Sequence, residues 1–304
     1  MPEYPDVVVY IERLQALVQG QPLEAIRLGN PFVLRTVVPP LSVLAGQEVL
    51  EIRRMGKRIV FGFPESRFLV IHLMIAGRLR MKKKGASQRG RDVLAVFDFP
   101  KASLVFTEAS KKKRASIHLV EGEEALTPFD RGGLEVFDID LVTFTERLRA
   151  RRHTLKRALT DPRIFSGIGN AYSDEILWRA KLSPIKLTTS VTDEEAETLL
   201  EAIRTELTAW TDRFRDEVGD GFPDKVTAFR EEMAMHGKFR KPCPRCGDPV
   251  QRIVHAENES NYCATCQTNG RLLADRALSR LLKSDWPRTL SELEERLGTD
   301  DKSD

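Results

Sequence analysis

The chain has 304 residues, 41% of them hydrophobic and 31% charged, with a formal net charge of +3. That length admits two domains with cores of their own, and the composition is that of a water-soluble globular protein. No run approaches the ~20 apolar residues of a membrane span, and no basic segment leads into an apolar one near the start, so membrane and secreted classes are excluded from expectation and a cytoplasmic location is expected.

The chain opens Met1-Pro2-Glu3. Removal of Met1 would leave a proline secondary amine beside a carboxylate. An α-amine titrates near ~8, so a usable fraction is nucleophilic near neutrality, and a secondary amine condenses with a sugar aldehyde to an iminium ion, an electron sink. Many chains begin Met-Pro without such chemistry. Residues 5–20 read as a helix, because Val7, Val8, Ile11, Leu14, Leu17 and Val18 recur at helical spacing and Gly20 suits a stop. Pro2 and Glu3 then precede a helix N-terminus, whose dipole lowers an amine pKa and favours a carboxylate.

From about 23 to 120 the pattern is one of short β-branched or aromatic runs between Gly, Pro and charged turns: Leu50–Arg53, Ile59–Phe63, Phe68–Leu73, Val93–Phe99 and Ser103–Phe106. Repeated hairpins imply an antiparallel sandwich or barrel. Lys57 falls in the tight turn Met55-Gly56-Lys57-Arg58. A Gly-, Pro- and Asp-rich loop, 122–140, leads to a helical half with helices expected at 141–160, 170–180, 192–216 and 225–236. Pro162 ends the first of these. Gly167 and Gly169 then allow a close backbone approach before Asn170, a good cap. This Gly-x-Gly is either a plain turn or a phosphate cradle on free helix N–H groups.

The four cysteines, Cys243, Cys246, Cys263 and Cys266, form two CxxC pairs separated by sixteen residues. Two such knuckles on a hairpin, 247–262, aim four thiolates at one ion, which predicts one structural Zn(2+) with no open coordination position. Residues 269–304 read as two short helices around Trp286-Pro287, carried by Leu272, Leu273, Leu278, Leu281, Leu282, Leu290 and Leu293, before an acidic tail, Asp300–Asp304. Basic residues cluster at Lys82–Lys84, Lys111–Arg114, Arg151–Arg157 and Lys238–Arg245, and acidic ones gather elsewhere. Each run alone suits a solvated turn, and the four together favour a polyanion-binding face.

The set Met1-Pro2-Glu3-Tyr4-Pro5-Asp6, Lys57, His72-Leu73 with Gly77, Gly167–Glu175 and Gly237 through Cys266, in that order, resembles the formamidopyrimidine-DNA glycosylase / endonuclease VIII family over about residues 1–268. The resemblance implies an α+β fold: an N-terminal antiparallel β-sandwich with an N-terminal helix (1–122), a linker (123–140), a helix–two-turn–helix domain (141–237), a zinc ribbon hairpin (238–268) and, beyond the usual family end, a helical extension (269–304). It implies a bifunctional DNA glycosylase/AP lyase of base excision repair acting on damaged, oxidised or ring-opened bases. In that chemistry Pro2 attacks C1′ of a flipped-out nucleotide, Glu3 transfers protons, and Lys57 contacts phosphate and assists. Asn170 would bind a backbone phosphate, with Gly167, Gly169, His72 and Lys156 as further DNA-binding positions. Glu175 matches a carboxylate facing the proline, or is an ordinary helix-surface glutamate.

The departures fall on residues that hold DNA. The methionine that fills the void of a flipped base aligns with Ile75, next to Met74. The loop usually carrying a void-filling arginine and phenylalanine aligns with Glu108 to Arg114, which has Lys111, Lys112, Lys113 and Arg114 but no aromatic. The hairpin arginine position falls on Asn258, between Glu257 and Glu259. Asp6 stands where glutamate is usual. A preference for single-stranded, bubble or crosslinked DNA is therefore expected, with a monomeric protein; the alternative is a non-catalytic damaged-DNA-binding protein on the same scaffold.

Overall fold

The computed structural model describes residues 1–224, 226–227, 229–255, 258–274, 286–293 and 295; of His255 and Asn258 it describes only the backbone. The chain divides into two compact bodies: Met1–Gly133 with Leu207–Ala228, and Leu134–Glu206 with Phe229–Asp304.

The first body begins with α1 (Tyr4–Val18), whose Val7, Tyr10, Ile11, Leu14 and Val18 are buried along one face. Pro5 sits in its first turn, where the missing N–H costs nothing. Ten strands follow: β1 (Pro22–Leu23), β2 (Ala25–Leu28), β3 (Gln47–Glu48), β4 (Glu51–Met55), β5 (Arg58–Phe63), β6 (Arg67–His72), β7 (Gly77–Lys83), β8 (Val93–Asp98), β9 (Ala102–Glu108) and β10 (Ser116–Glu121). They form two four-stranded antiparallel sheets, ordered β10-β6-β5-β4 and β2-β8-β9-β7, and a two-stranded β1-β3 ribbon. Ile52, Ile59, Phe61, Leu69 and Ile71 of one sheet and Leu79, Phe97, Leu104 and Phe106 of the other share a single core with α1. The expected sandwich is thus formed, with α1 as part of its filling.

Strand β6 is buried on both faces. Leu69 and Ile71 face the main core, while Phe68 and Val70 pack with Val60 and Leu126 in a second cluster. A 3₁₀ segment, Glu123–Phe129, supplies that outer cover. A continuous apolar run is what a strand covered on both sides requires, and Phe68–Ile71 supplies one. Strands β2, β7 and β10 show none: β7 ends in two lysines and β2 carries Arg27, which pairs with Asp98 at 2.6 Å. Their positions follow from register with a neighbour rather than from their own composition.

The second body holds α2 (Leu141–Arg149), α3 (Leu155–Thr160), α4 (Asn170–Arg179), α5 (Asp193–Val218, shared with the first body), β11 (Gln251–His255), β12 (Asn258–Tyr262) and α6 (Ala264–Thr268). The single helix expected over 141–160 is two. His153 N–H turns away to Thr188 Oγ1, and Thr154 starts α3 as its N-cap. The helix expected over 225–236 is absent among the described residues of that stretch. The N–H groups of Ala234, Met235 and His236 are bound instead by the buried Glu175 carboxylate at 2.8–2.9 Å. An intrahelical ladder would need those same donors, so the tertiary partner displaces it. Of the expected C-terminal helical pair, Leu278, Leu281 and Leu282 lie outside the described residues, as does the acidic tail.

Candidate active site and nucleic-acid interface

At the N-terminus Pro2 is buried and Glu3 is 2% exposed. Glu3 is the N-cap of α1, and its N–H donates to Asp6 Oδ2 at 2.9 Å. Aspartate at this position therefore ties the backbone beside Pro2 to the first helical turn, as the reaching-back residue of a capping box does. The Met1 α-amine is held below its ordinary value of 8.0, chiefly by burial; Glu3 and Asp6 oppose the shift, while Arg78 and Lys57 reinforce it. An amine in these surroundings keeps more of its neutral, nucleophilic form near neutrality.

Lys57 arrives from the hairpin between β4 and β5. Gly56 takes the left-handed conformation (φ 60) at the first of two turn positions, the requirement of a II′ connection. Arg54 fixes this turn from within: its guanidinium donates to the Gly56 carbonyl at 2.8 Å and lies 4.6 Å from the centre of the Tyr4 ring. The turn is thereby joined to the start of α1. The Lys57 ammonium is driven below its usual pKa by desolvation, with Glu3 pulling the other way. That Glu3 registers in both shifts places Lys57, Glu3 and the terminal amine in one electrostatic neighbourhood.

His72 ends β6 opposite Arg58 and Ser116. Burial lowers its pKa to about 4, helped by the cations Arg58, Lys57 and Arg131, so it is neutral at pH 7. After it, Leu73–Gly77 closes an α-turn with Gly77 N–H on the Leu73 carbonyl at 2.8 Å. A Cβ on Gly77 would stand 2.2 Å from that carbonyl oxygen, so only glycine fits. The turn lifts Ile75 to 56% exposure and puts Met74 in a left-handed conformation (φ 53). Of the two void-filling candidates, Ile75 is thus the one presented to solvent. Arg78 clamps the turn through the Ile75 and Gly77 carbonyls and reaches the Val226 carbonyl at 2.6 Å. Sequence reasoning misses both Arg54 and Arg78. A strand arginine carries no motif, and its value here comes from carbonyls supplied by other segments.

The basic loop after β9 is built on Glu108. This buried carboxylate accepts from the Arg114 and Ala115 N–H groups and from Ser110 Oγ at 2.8–3.1 Å. Lys113 turns inward to the Glu108 carbonyl and to Asp92. Of the four cations expected to bind DNA, Lys111, Lys112 and Arg114 are exposed, while Lys113 is turned inward as a brace.

In the second body Gly167 has φ 81 and Gly169 is extended as the N-cap of α4. Asn170 is therefore the first helical residue and not the cap, a shift of one position that leaves it at the helix N-terminus. Lys156 does not face solvent. Its ammonium is buried on Asp174 Oδ1 and the Asn170 carbonyl, both at 2.6 Å, because Asp174 is fully enclosed and needs a cation. This corrects its expected place among the DNA-binding positions. Asp174 also meets His236 Nδ1 at 2.9 Å and Asn261 N–H at 3.1 Å. Glu175 is no helix-surface residue; burial raises its pKa, and its oxygens organise the 234–236 segment. Asn258 pairs through its backbone with His255 at the end of the β11-β12 hairpin; its side chain and Glu257 lie outside what is described.

The four cysteine sulfurs lie within 4.8 Å of one another. Cys246–Cys263 and Cys243–Cys266 are 3.4 and 4.0 Å apart. Four thiolates at ~2.3 Å from one tetrahedral zinc ion imply spacings between those values. The residues fit one structural zinc, with every coordination position filled by the chain. Gly247 (φ 85) donates to the Cys243 carbonyl at 2.8 Å and closes the first knuckle. Arg245 then stacks over Trp178 at 4.2 Å, docking the knuckle on α4.

Three family descriptions match the chain: "Formamidopyrimidine-DNA glycosylase N-terminal domain" over residues 1–115, "Formamidopyrimidine-DNA glycosylase H2TH domain" over 134–211, and "Zinc finger found in FPG and IleRS" over 240–269. The chain is 31% identical over 281 residues to the formamidopyrimidine-DNA glycosylase of Heliobacterium modesticaldum, covering 88% of this chain and 100% of that one. A Thermus thermophilus enzyme of the same name is also 31% identical over 281 residues, covering 89% and 100%. The solved Lactococcus lactis Fpg in complex with an abasic site containing DNA aligns with a TM-score of 0.76 at 25% identity, over 88% of this chain and 99% of that one.

Proposed function

This chain belongs to the formamidopyrimidine-DNA glycosylase family, and we propose that it is a bifunctional DNA glycosylase/AP lyase of base excision repair working through Pro2. The observation that carries the reading is the burial of Pro2 beside Glu3, in surroundings that hold the Met1 amine below its ordinary pKa and lower Lys57 as well. With Met1 removed, the Pro2 nitrogen attacks C1′ of an everted nucleotide. The N–C1′ bond forms as the glycosidic bond breaks, and the electron pair leaves on the damaged base. Glu3 takes the proton that the nitrogen gives up and delivers it to O4′ as the C1′–O4′ bond breaks, and the nitrogen becomes an iminium. Loss of a 2′ proton then expels the 3′ phosphate, and a second elimination expels the 5′ phosphate. Lys57 neutralises phosphate next to the reacting sugar. Asn170, at the N-terminus of α4, and the Gly167–Gly169 backbone offer donors to a second phosphate.

The substrate we propose is an oxidised or ring-opened base in DNA whose strand is already open: single-stranded, bubble or crosslinked. Two features support this. The Glu108–Arg114 loop has no aromatic wedge, and it still exposes three cations that need only a phosphate backbone. Everting a base from an intact duplex leaves unstacking costs of a few kcal/mol that a wedge offsets.

Two measurements test these readings. Borohydride added to protein mixed with abasic-site DNA should trap a covalent adduct that Pro2→Gly abolishes; its absence with fully processed protein would favour a damage-binding protein without catalysis. Cleavage of one oxidised base should be faster in a bubble than in a duplex, and a strong duplex preference would sink the substrate proposal.

A further inference from the structure

The Heliobacterium and Thermus relatives are covered over 100% of their own length while using 88–89% of this chain, and the matched zinc finger ends at residue 269. The described residues 271–273 and 288–293 pack on the zinc module. Arg271 and Thr289 form an antiparallel bridge, and Leu272 N–H donates to the Arg288 carbonyl at 2.8 Å. Leu272 and Leu273 are buried against Ile253, Tyr262 and Ala264, with Leu290 and Leu293 packed on them. Leu273 N–H also donates to the Tyr262 hydroxyl at 2.8 Å.

These segments wall a cleft of about 660 Å³, lined by Ile185, Asn269, Arg271, Leu272, Trp286 and Arg288 among others. That volume lies within the ~300–1,000 Å³ range of ligand sites. Its chemistry is unbalanced. Among the described residues neither guanidinium meets a carboxylate within ion-pair distance, and Trp286 Nε1 is buried with no acceptor. Ile185, 45% exposed, adds an apolar wall.

We propose that this cleft binds an unpaired nucleotide of a DNA strand, its base against Trp286 and Ile185 and its phosphate between Arg271 and Arg288. An indole face and an aliphatic wall suit a flat ring, and every base stacks. Two guanidinium groups with no carboxylate partner among the described residues suit a phosphate, which each can engage bidentately. An acidic peptide could satisfy the arginines but has no equivalent claim on the flat wall. The site is independent of the chemistry at Pro2, and it gives the protein a second hold on single-stranded DNA.

The test uses the full zinc-loaded chain and a short oligothymidylate as probe. R271Q/R288Q and W286L should each weaken binding about tenfold, the order of one lost stacked base, while R271K/R288K retains most of it. Oligonucleotide carrying 5-iodouracil should crosslink to Trp286. Zinc content and far-UV spectrum identify folded variants, and borohydride trapping on abasic duplex should be unchanged in all three. Unchanged oligothymidylate affinity in folded R271Q/R288Q and W286L would overturn the proposal, as would a cleft that takes up an acidic peptide and leaves oligothymidylate unbound. Loss of trapping in the unsubstituted protein, with oligothymidylate binding intact, would strike the catalytic reading alone.

Discussion

Lys156 Nζ lies 2.6 Å from Asp174 Oδ1, and the Asp174 side chain has no exposed surface. The pair links α3 to α4, and the same aspartate reaches His236 and the Asn261 backbone of the zinc hairpin. Removing one partner strands a charge in the interior. Lys156→Met is therefore expected to cost about 3–5 kcal/mol, and Lys156→Met with Asp174→Leu less than the sum of the single changes. Denaturant unfolding of the double-mutant cycle measures both; a loss under ~1 kcal/mol for Lys156→Met would mean the pair is not the hub that its burial indicates.

Gly77→Ala places a methyl group 2.2 Å from the Leu73 carbonyl oxygen, which is backbone and cannot step aside. The Leu73–Gly77 turn must open. A loss of about 2–4 kcal/mol is expected in thermal or denaturant unfolding, a larger cost than that of Ile75→Ala, whose side chain is exposed.

The Met1 amine is held below its usual value by burial, Arg78 and Lys57, and removal of Met1 would put the Pro2 amine in the same buried, cationic surroundings. Adduct formation needs the neutral amine, so it is present above the lowered pKa and lost as pH falls through it. Arg78→Met removes one depressing charge. The acid limb of borohydride trapping should then move to higher pH, and Arg78→Lys should leave it nearly in place. An unmoved limb in Arg78→Met would show that desolvation alone sets the amine.

His72 has a folded-state pKa of about 4, below the unfolded value of 6.5. Unfolding therefore takes up a proton below that unfolded value. The stabilisation is fully present above pH ~6.5 and is lost progressively as pH falls toward about 4, by roughly 3 kcal/mol at the limit. Unfolding free energies of His72→Gln across this window should show a shallower slope than the unsubstituted protein.

Chelation of the zinc, or Cys263→Ser, should unfold the β11-β12 module, because the hairpin has only a small cluster around Ile253 and Tyr262 to sustain it. Metal analysis should give one zinc per chain, falling to near zero in Cys263→Ser. Limited proteolysis should then cut between 238 and 270, while β1–β10 stay protected.

Much of the fold is legible where local chemistry marks it. CxxC spacing needs no tertiary context to specify a tetrahedral thiolate site, and the apolar run Phe68–Ile71 is what a strand covered on both sides requires. The Met55–Arg58 turn reads from its glycine. The illegible parts depend on partners remote in sequence. The stretch 225–236 has residues compatible with a helix, yet Glu175 captures three of its N–H groups. Lys156 sits in a basic cluster that reads as surface, yet Asp174 draws it inside.

Residue type, order and spacing are enough to nominate Pro2, Glu3 and Lys57 as the proposed reacting groups and to mark the four cysteines as a zinc site before any folding is considered. Which charges remain available is settled by packing. Lys113 and Lys156 are consumed by internal carbonyls and carboxylates, Lys111, Lys112 and Arg114 are left exposed, and Arg271 and Arg288 are gathered with Trp286 around one cleft. A charge is spent or free according to what it is buried against, and burial is a property of the fold rather than of the neighbouring letters.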